Sequence, residues 1–235
     1  MRIDFHDKNI SSMYKTIENN MKQLDSMTTE FEKRINNYNE TYINELIKGN
    51  KKNLEKIKEI DSDIIKFDEI ILIEEGVKRK LSKEIKQYRL LFKASKNGFK
   101  AQDFHNYCDG KDNTLILVKT KTGRRFGGFT DQKWDTNGNK SGANGFLFSL
   151  DFKEIYYNKN SSYNIQGNSS YGPYFGNDFY IGNNCNSGYN SSDSSNNYYN
   201  TNSKTYALAG ESSYTVEDYE LISINFLIII LIKNY

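Results

Sequence analysis

From Ile10 onward, apolar side chains recur in a regular step of four and three: Ile10, Tyr14, Ile17, Met21, Leu24, Thr28, Phe31, Ile35, Tyr38 and Tyr42, with charge and asparagine between them. The spacing predicts a helix. The seam is narrower than the face a helix lays on a globular core, which predicts a coiled coil. Thr28 and the bulky tyrosines make it a mediocre seam, and the spacing leaves the strand number open. The register fails at Glu45, where Leu46 takes over, and Gly49-Asn50 follows. Glycine inside a helix costs about 1 kcal/mol relative to alanine, so a bend or stop is expected there, with Leu54, Ile57 and Ile60 beyond it. A lone seam has nothing to bury against, so residues 10–60 are expected to form a homo-oligomer; a solvated spacer with no specific partner is the plainer alternative.

The pattern changes after Asp61-Ser-Asp63, a triplet able to cap a helix. Ile64, Ile65, Phe67, Ile70, Ile71, Leu72 and Ile73 make a stripe too wide for a two-stranded seam, predicting a helix on a globular core and the start of a domain. Leu81, Ile85 and Tyr88 predict a second short helix. Residues 90–94, 114–120, 125–130, 146–152, 178–181, 206–209 and 219–227 read as strands: short, β-branched or aromatic, and separated by Gly, Asn, Asp or Ser. Lys121-Thr-Gly-Arg124 reads as a hairpin turn. Residues 183–203, almost wholly Asn, Ser, Gly and Tyr, read as a loop. The apolar run 221–232 falls short of the roughly 20 residues a membrane helix needs and is expected to be a buried strand followed by a tail. The expected fold is α+β, a two-sheet antiparallel β-sandwich with flanking helices, preceded by a long coiled-coil helix. The expected division is 1–60 for the helical arm, 61–226 for the domain and 227–235 for the apolar tail.

Composition supports two joined textures. Before Lys93 the chain is rich in charge and holds only two glycines, Gly49 and Gly76; after it come most of the aromatics, the other glycines and the single proline, Pro173. Across all 235 residues, 32 Lys+Arg stand against 30 Asp+Glu, a net charge of +2 that argues against a dedicated nucleic-acid binder. Two cysteines are too few for a disulfide framework, and residues 1–20 lack the apolar core of a signal peptide, so a cytoplasmic location is expected.

Candidate chemistry is sparse. Cys108, three residues from His105, is a candidate redox thiol, but Asp103 and Asp109 would oppose thiolate formation and a structural position is the better reading. His6, the other histidine, lies outside the domain, and neither cysteine has zinc-ligand spacing, so no metal and no cofactor are expected. Asp135-x-Asn137-x-Asn139-x-Ser141 imitates the start of a calcium loop, but Lys140 stands where glycine belongs and Phe146 where glutamate belongs, leaving a polar turn. Gly123-Arg-Arg-Phe-Gly-Gly128 lacks the P-loop Lys-Ser/Thr pair and opens a strand, so its glycines are expected to serve close backbone approach. Trp134, Tyr171, Pro173, Tyr174 and Phe175 are candidates either for an aromatic binding face or for the core. Glu217, Asp218 and Glu220 close the domain as an acidic cluster: solvent-facing carboxylates, or a charged contact to a partner through Glu217 and Glu220.

Seven ordered motifs then carry a family resemblance. They are Leu90-Leu-Phe-Lys-Ala-Ser-Lys-Asn-Gly-Phe99, Phe104-His-x-x-Cys-Asp-Gly110, Thr114-Leu-Ile-Leu-Val-Lys-Thr120, and Phe126-Gly-Gly-Phe-Thr130 with Trp134. Gly145-Phe-Leu-Phe-Ser-Leu150 follows, then Ser170-Tyr-Gly-Pro-Tyr-Phe-Gly176 with Asp178 and Ile181, and last Leu208-Ala-Gly210 with Val216-Glu-Asp-Tyr-Glu220. Over roughly 61–226 the chain resembles the TLDc domain family, which includes the eukaryotic oxidation-resistance proteins. Gly127, Gly128, Gly172, Gly176 and Gly210 fall in these motifs and are expected to be structural. The resemblance implies a two-sheet sandwich, a role in oxidative-stress protection, and for several members binding to the vacuolar proton-pumping ATPase with effects on its assembly. It brings no accepted enzymatic activity. The chain departs from the family pattern in an Asn/Ser-rich expansion at 186–203, in few family-like aromatics at 74–88 and in an Ile-rich tail after 226. The resulting expectation is a non-catalytic interaction module; the alternatives are a thiol-based antioxidant using Cys108 and a purely structural coiled-coil scaffold.

Overall fold

The computed structural model describes residues 3–60 (side chains for 11–49), 62–142, 144–159, 164–188, 191–194, 199–200 and 204–227, with the side chain of Phe67 left out. The chain divides into two compact units, Met1–Lys52 and Asn53–Tyr235.

The seam periodicity produces one helix, α1 (Ile3–Ile60). The bend or stop expected at Gly49 does not occur. A penalty of about 1 kcal/mol is small beside the backbone hydrogen bonds on either side, and it interrupts only a helix that is already marginal. From 11 to 49 every described side chain is exposed, the seam included.

In the second unit, a 3₁₀ turn (Phe67–Glu69) leads into α2 (Ile70–Leu81). The helix expected from Ile64 therefore begins later, because Ile64 and Ile65 are already buried in a bend whose N–H groups donate to Ser62 Oγ, and the Glu69 carboxylate accepts the Lys66 N–H at 2.6 Å. Strand β1 (Ile85–Lys93) follows, where a short helix through Ile85 and Tyr88 was expected. Next come α3 (Ala94–Asn97) and α4 (Ala101–Cys108), then β2 (Thr114–Thr120), β3 (Arg125–Thr130), β4 (Gly138–Lys140), β5 (Phe146–Ser149) and β6 (Glu154–Tyr157). The series continues with β7 (Ile165–Gly167), β8 (Tyr171–Phe175), β9 (Phe179–Gly182), β10 (Ser191–Asp193), β11 (Ser213–Tyr214) and β12 (Val216–Phe226).

The larger antiparallel sheet has the order β1-β12-β2-β3-β5-β6, the smaller β11-β10-β9-β8, and β4 pairs β7. Strand β2 shows how the larger sheet is covered on both faces. Ile116 and Val118 face a core shared with Phe175, Phe179, Ile181 and Tyr214 of the smaller sheet and with Phe104 and Cys108 of α4. Leu115 and Leu117 face the other way, onto Ile70, Ile73 and Val77 of α2. A strand buried on both faces reads as a continuous apolar run, as 114–118 does. This is the expected α+β sandwich.

Gly127 and Gly128 let the layers close. A Cβ on Gly127 would overlap the Ile116 carbonyl oxygen, and one on Gly128 would sit 2.8 Å from Leu147 and Phe175. Residues 206–209, expected as a strand, instead form a turn in which the buried Asp193 carboxylate accepts the N–H groups of Leu208 and Ala209. The loop expected at 183–203 contains a strand, β10, with residues 189–190, 195–198 and 201–203 lying outside those described. At the carboxy end the expected strand is found as part of β12, and residues 228–235 of the expected tail also lie outside the described residues.

Candidate functional site

The motif around 170–176 builds a cluster of three half-buried tyrosines on the outer side of the smaller sheet. Strands β8 and β9 form a hairpin whose turn places Gly176 (φ 49°) and Asn177 (φ 62°) in the left-handed region, with the Asp178 N–H donating to the Phe175 carbonyl at 2.8 Å. Positive φ at both central residues matches the twist of the flanking strands and favours glycine and asparagine. Strand alternation then sorts the aromatics. Phe175 and Phe179 point inward and stack at 5.0 Å, while Tyr174 and Tyr180 lie opposite each other on the outer side, ring centroids 5.1 Å apart. A bulge between Tyr171 and Tyr174 brings Tyr171 to the same side, 5.5 Å from Tyr174 and 4.8 Å from Tyr180. All three rings are half-buried. The Tyr174 hydroxyl donates to Asn177 Oδ1 at 2.8 Å.

The hairpin is anchored from below. His105 of α4 is buried, with Nδ1 2.8 Å from the Asp109 carboxylate and Nε2 3.1 and 3.0 Å from the carbonyl oxygens of Asn168 and Tyr171. Both carbonyls can only accept, so Nε2 carries a proton and ties α4 to the start of β8. Trp134 does not form part of any binding face. It is buried beneath the hairpin, edge-on to Phe104 (5.3 Å) and Phe175 (5.6 Å), and its indole N–H donates to Thr114 Oγ1 at 2.8 Å.

The acidic cluster separates in the same way. Glu217 is exposed and pairs with Lys119 across β12 and β2 at 2.8 Å. Glu220 is wholly buried, which removes it as a surface contact. It pairs with Lys93 at 2.9 Å and accepts the Ser62 hydroxyl at 2.5 Å, while Lys93 also reaches Asp63 at 2.7 Å. Burial pushes the Glu220 carboxyl up despite Ser62 and Lys93. Burial alone would lower Lys93, but its bonds to Asp63 and Glu220 hold it above the ordinary lysine range. A second buried pair, Arg125 with Glu69 at 2.6 Å, fastens the same entry segment, and Arg125 also donates to the Ile64 carbonyl at 2.9 Å.

Both thiols are buried. Cys108 is fully buried, and burial followed by the Asp109 charge raises its pKa far above the ordinary thiol value. Burial pushes Cys185 up to about 12. A reactive cysteine needs a populated thiolate and solvent access, and burial works against both at Cys108. Among the described residues no group of three His, Cys, Asp or Glu is placed to hold a metal ion. In the calcium-like stretch the Asp135 carboxylate accepts the Asn137 N–H at 2.8 Å and forms an ion pair with Lys140, the residue standing in the glycine position.

Of the residues singled out in the sequence, the structure thus brings together Tyr171 and Tyr174 and adds Tyr180. Tyr180 was readable from the alternation Phe179-Tyr180-Ile181 once the turn at 176–178 was fixed. The sequence-identified glycines take structural positions: Gly127 and Gly128 at the layer contacts, Gly176 in the turn, Gly210 at φ 81° beside Arg124, and Gly172 against the Tyr219 hydroxyl.

The second unit is thus an α+β domain, two antiparallel sheets packed together with α2 on the far face of the larger one and a tyrosine-bearing hairpin in the smaller. The model of the TLDc domain family matches residues 58–225, and the chain belongs to that family. No curated protein is a significant match to the chain. Among the described residues, no helix is long and apolar enough to cross a membrane.

Proposed function

We propose that this chain is a non-catalytic, cytoplasmic interaction protein. Its TLDc domain docks on a protein partner, and its helical arm oligomerises or tethers it. The partner is the peripheral sector of the vacuolar proton-pumping ATPase, whose assembly the docking regulates, and the cellular consequence is protection from oxidative stress. Membership of the TLDc family supports the partner class. The observation that carries the docking role is the cluster of Tyr171, Tyr174 and Tyr180, held on a hairpin pinned by His105 and backed by Trp134. Tyrosine combines apolar area with a polar tip and loses few rotamers on binding, so rigid tyrosine clusters are apt contact anchors.

In a pull-down from lysate containing assembled and disassembled pump, the wild-type chain is expected to enrich the peripheral sector. The double variant Tyr174→Ala/Tyr180→Ala, with both rings removed from the outer surface, is expected to retain tenfold less or lower, matching the loss of about 1.4 kcal/mol or more typical of anchor residues. No enrichment by the wild-type chain sinks the pump as partner. Undiminished enrichment by the variant sinks the tyrosine face.

A further inference from the structure

The proposed function leaves open what covers the helical arm, and the charge pattern of α1 answers it. Reading the seam as a heptad places Tyr14, Met21, Thr28, Ile35 and Tyr42 at the first core position and Ile17, Leu24, Phe31 and Tyr38 at the second. Among the described residues, the Met1–Lys52 unit holds no element other than this helix. Tyr14, Ile17, Met21, Leu24, Phe31, Ile35, Tyr38 and Tyr42 are 46–74% exposed.

The flanking rows decide geometry. The row following the second core position reads Ser11, Glu18, Asp25, Glu32, Asn39: polar throughout, with three consecutive acids. The row preceding the first core position reads Met13, Asn20, Met27, Arg34, Thr41, with no acid. In a parallel pair these two rows face each other, so Glu18, Asp25 and Glu32 lie beside Met13, Asn20 and Met27 of the second chain. In an antiparallel pair each row faces itself, which sets the acidic row of one chain against that of the other whenever the seams overlap about their centre. Like charges so placed are destabilising. Bundles of three or more strands draw the flanking rows further toward the interior, where an all-polar row of acids is costly. Within the helix Glu18 pairs with Lys22 at 2.8 Å, and the one cation of the opposite row, Arg34, pairs with Glu30 at 3.2 Å.

We propose that the occupant of the seam is a second copy of this chain, in a parallel, in-register, two-stranded coiled coil through residues 14–42. This rests on the self-association in the proposed function and adds occupant, strand number and direction. Both chains then leave the coil at the same end, so two TLDc domains follow from one end.

The test uses the full chain, whose own cysteines are buried. Sedimentation equilibrium is expected to give twice the 27.3 kDa chain mass. Under mild oxidation, Tyr14→Cys is expected to convert almost completely to a covalent dimer, and so is Tyr42→Cys on its own. A monomer at all concentrations overturns self-association as well as this geometry. A dimer in which neither single variant cross-links, but an equimolar mixture of Tyr14→Cys and Tyr38→Cys does, is antiparallel and overturns the direction alone, because an antiparallel pair sets the first core row of one chain against the second row of the other. A mass of three or four chains overturns the strand number alone.

Discussion

Lys93 and Glu220 show how a single residue's environment can reverse a sequence expectation. Alternation along 216–220 places Asp218 and Glu220 on one face, and solvent is the ordinary place for both. A register irregularity between Val216 and Asp218, together with the entry segment carrying Ser62 and Ile64 over this end of β12, puts the Glu220 carboxylate inside. A buried carboxylate is tolerated only with a cation and hydrogen bonds around it, and removing the cation alone costs about 3–5 kcal/mol. Lys93→Met is therefore expected to destabilise the domain by that order at pH 8. The penalty has a definite pH dependence. Without Lys93, the folded pKa of Glu220, already raised by burial, rises further above its unfolded value of about 4.3. Such a group contributes stability fully below the unfolded value and loses it as pH rises through the folded one. The gap between variant and wild type in urea denaturation should thus narrow as pH falls from 8 to 5. A gap that is constant or widens would mean that Glu220 stays charged or is not the group left unpaired.

At the scale of elements, the sequence was most readable where periodicity was uninterrupted. The arm's helical seam, strands β2, β3, β5 and β12 of the larger sheet and the hairpin turn at 121–124 follow from spacing and turn residues, whereas β6 was not expected. Irregularity defeated the same rules. Leu81, Ile85 and Tyr88 have helical spacing, yet Ile85 and Tyr88 are both buried in β1 because a register shift between Ile85 and Gln87 inserts a residue into the strand and breaks its two-residue period. Residues 206–209 have strand composition, but two backbone N–H groups satisfied by a distant carboxylate, Asp193, fix a turn that local sequence does not announce. Within the candidate site, Tyr171 and Tyr174 are visible as aromatics in a motif and Tyr180 follows from the register of the β8–β9 hairpin, whereas the burial of Trp134 depends on tertiary packing. Gly49 was overweighted as a breaker. Beyond its chain neighbours and the helix's own backbone, no described atom lies within 4 Å of where its Cβ would stand, so Gly49→Ala is expected to stabilise α1 by about 1 kcal/mol. Far-UV circular dichroism of the full chain should show higher residual helicity on heating; unchanged or lower helicity would mean that this position is not ordinary helix.

The whole molecule joins a helix with an uncovered seam to a domain with a complete core. Every buried hydrophobic side chain among the described residues lies at Ile64 or beyond, and the compact unit containing them begins at Asn53, before the family match at residue 58. The two units are accordingly proposed to be independent in stability, with the functional join near residue 60. Trp134 is the chain's single tryptophan and sits between the two sheets, so its fluorescence reports on the domain alone. A chain beginning at Asn53 is expected to give the same tryptophan-detected urea midpoint as the full chain, within about 0.5 kcal/mol, the usual limit for independent parts. The full chain's tryptophan midpoint should also not depend on protein concentration, because self-association of the arm stabilises only the unit that associates. Its far-UV transition, dominated by α1, should depend on concentration. A midpoint that falls when residues 1–52 are removed, or that rises with concentration in the full chain, would show that the arm supports the domain fold as well as bringing domains together.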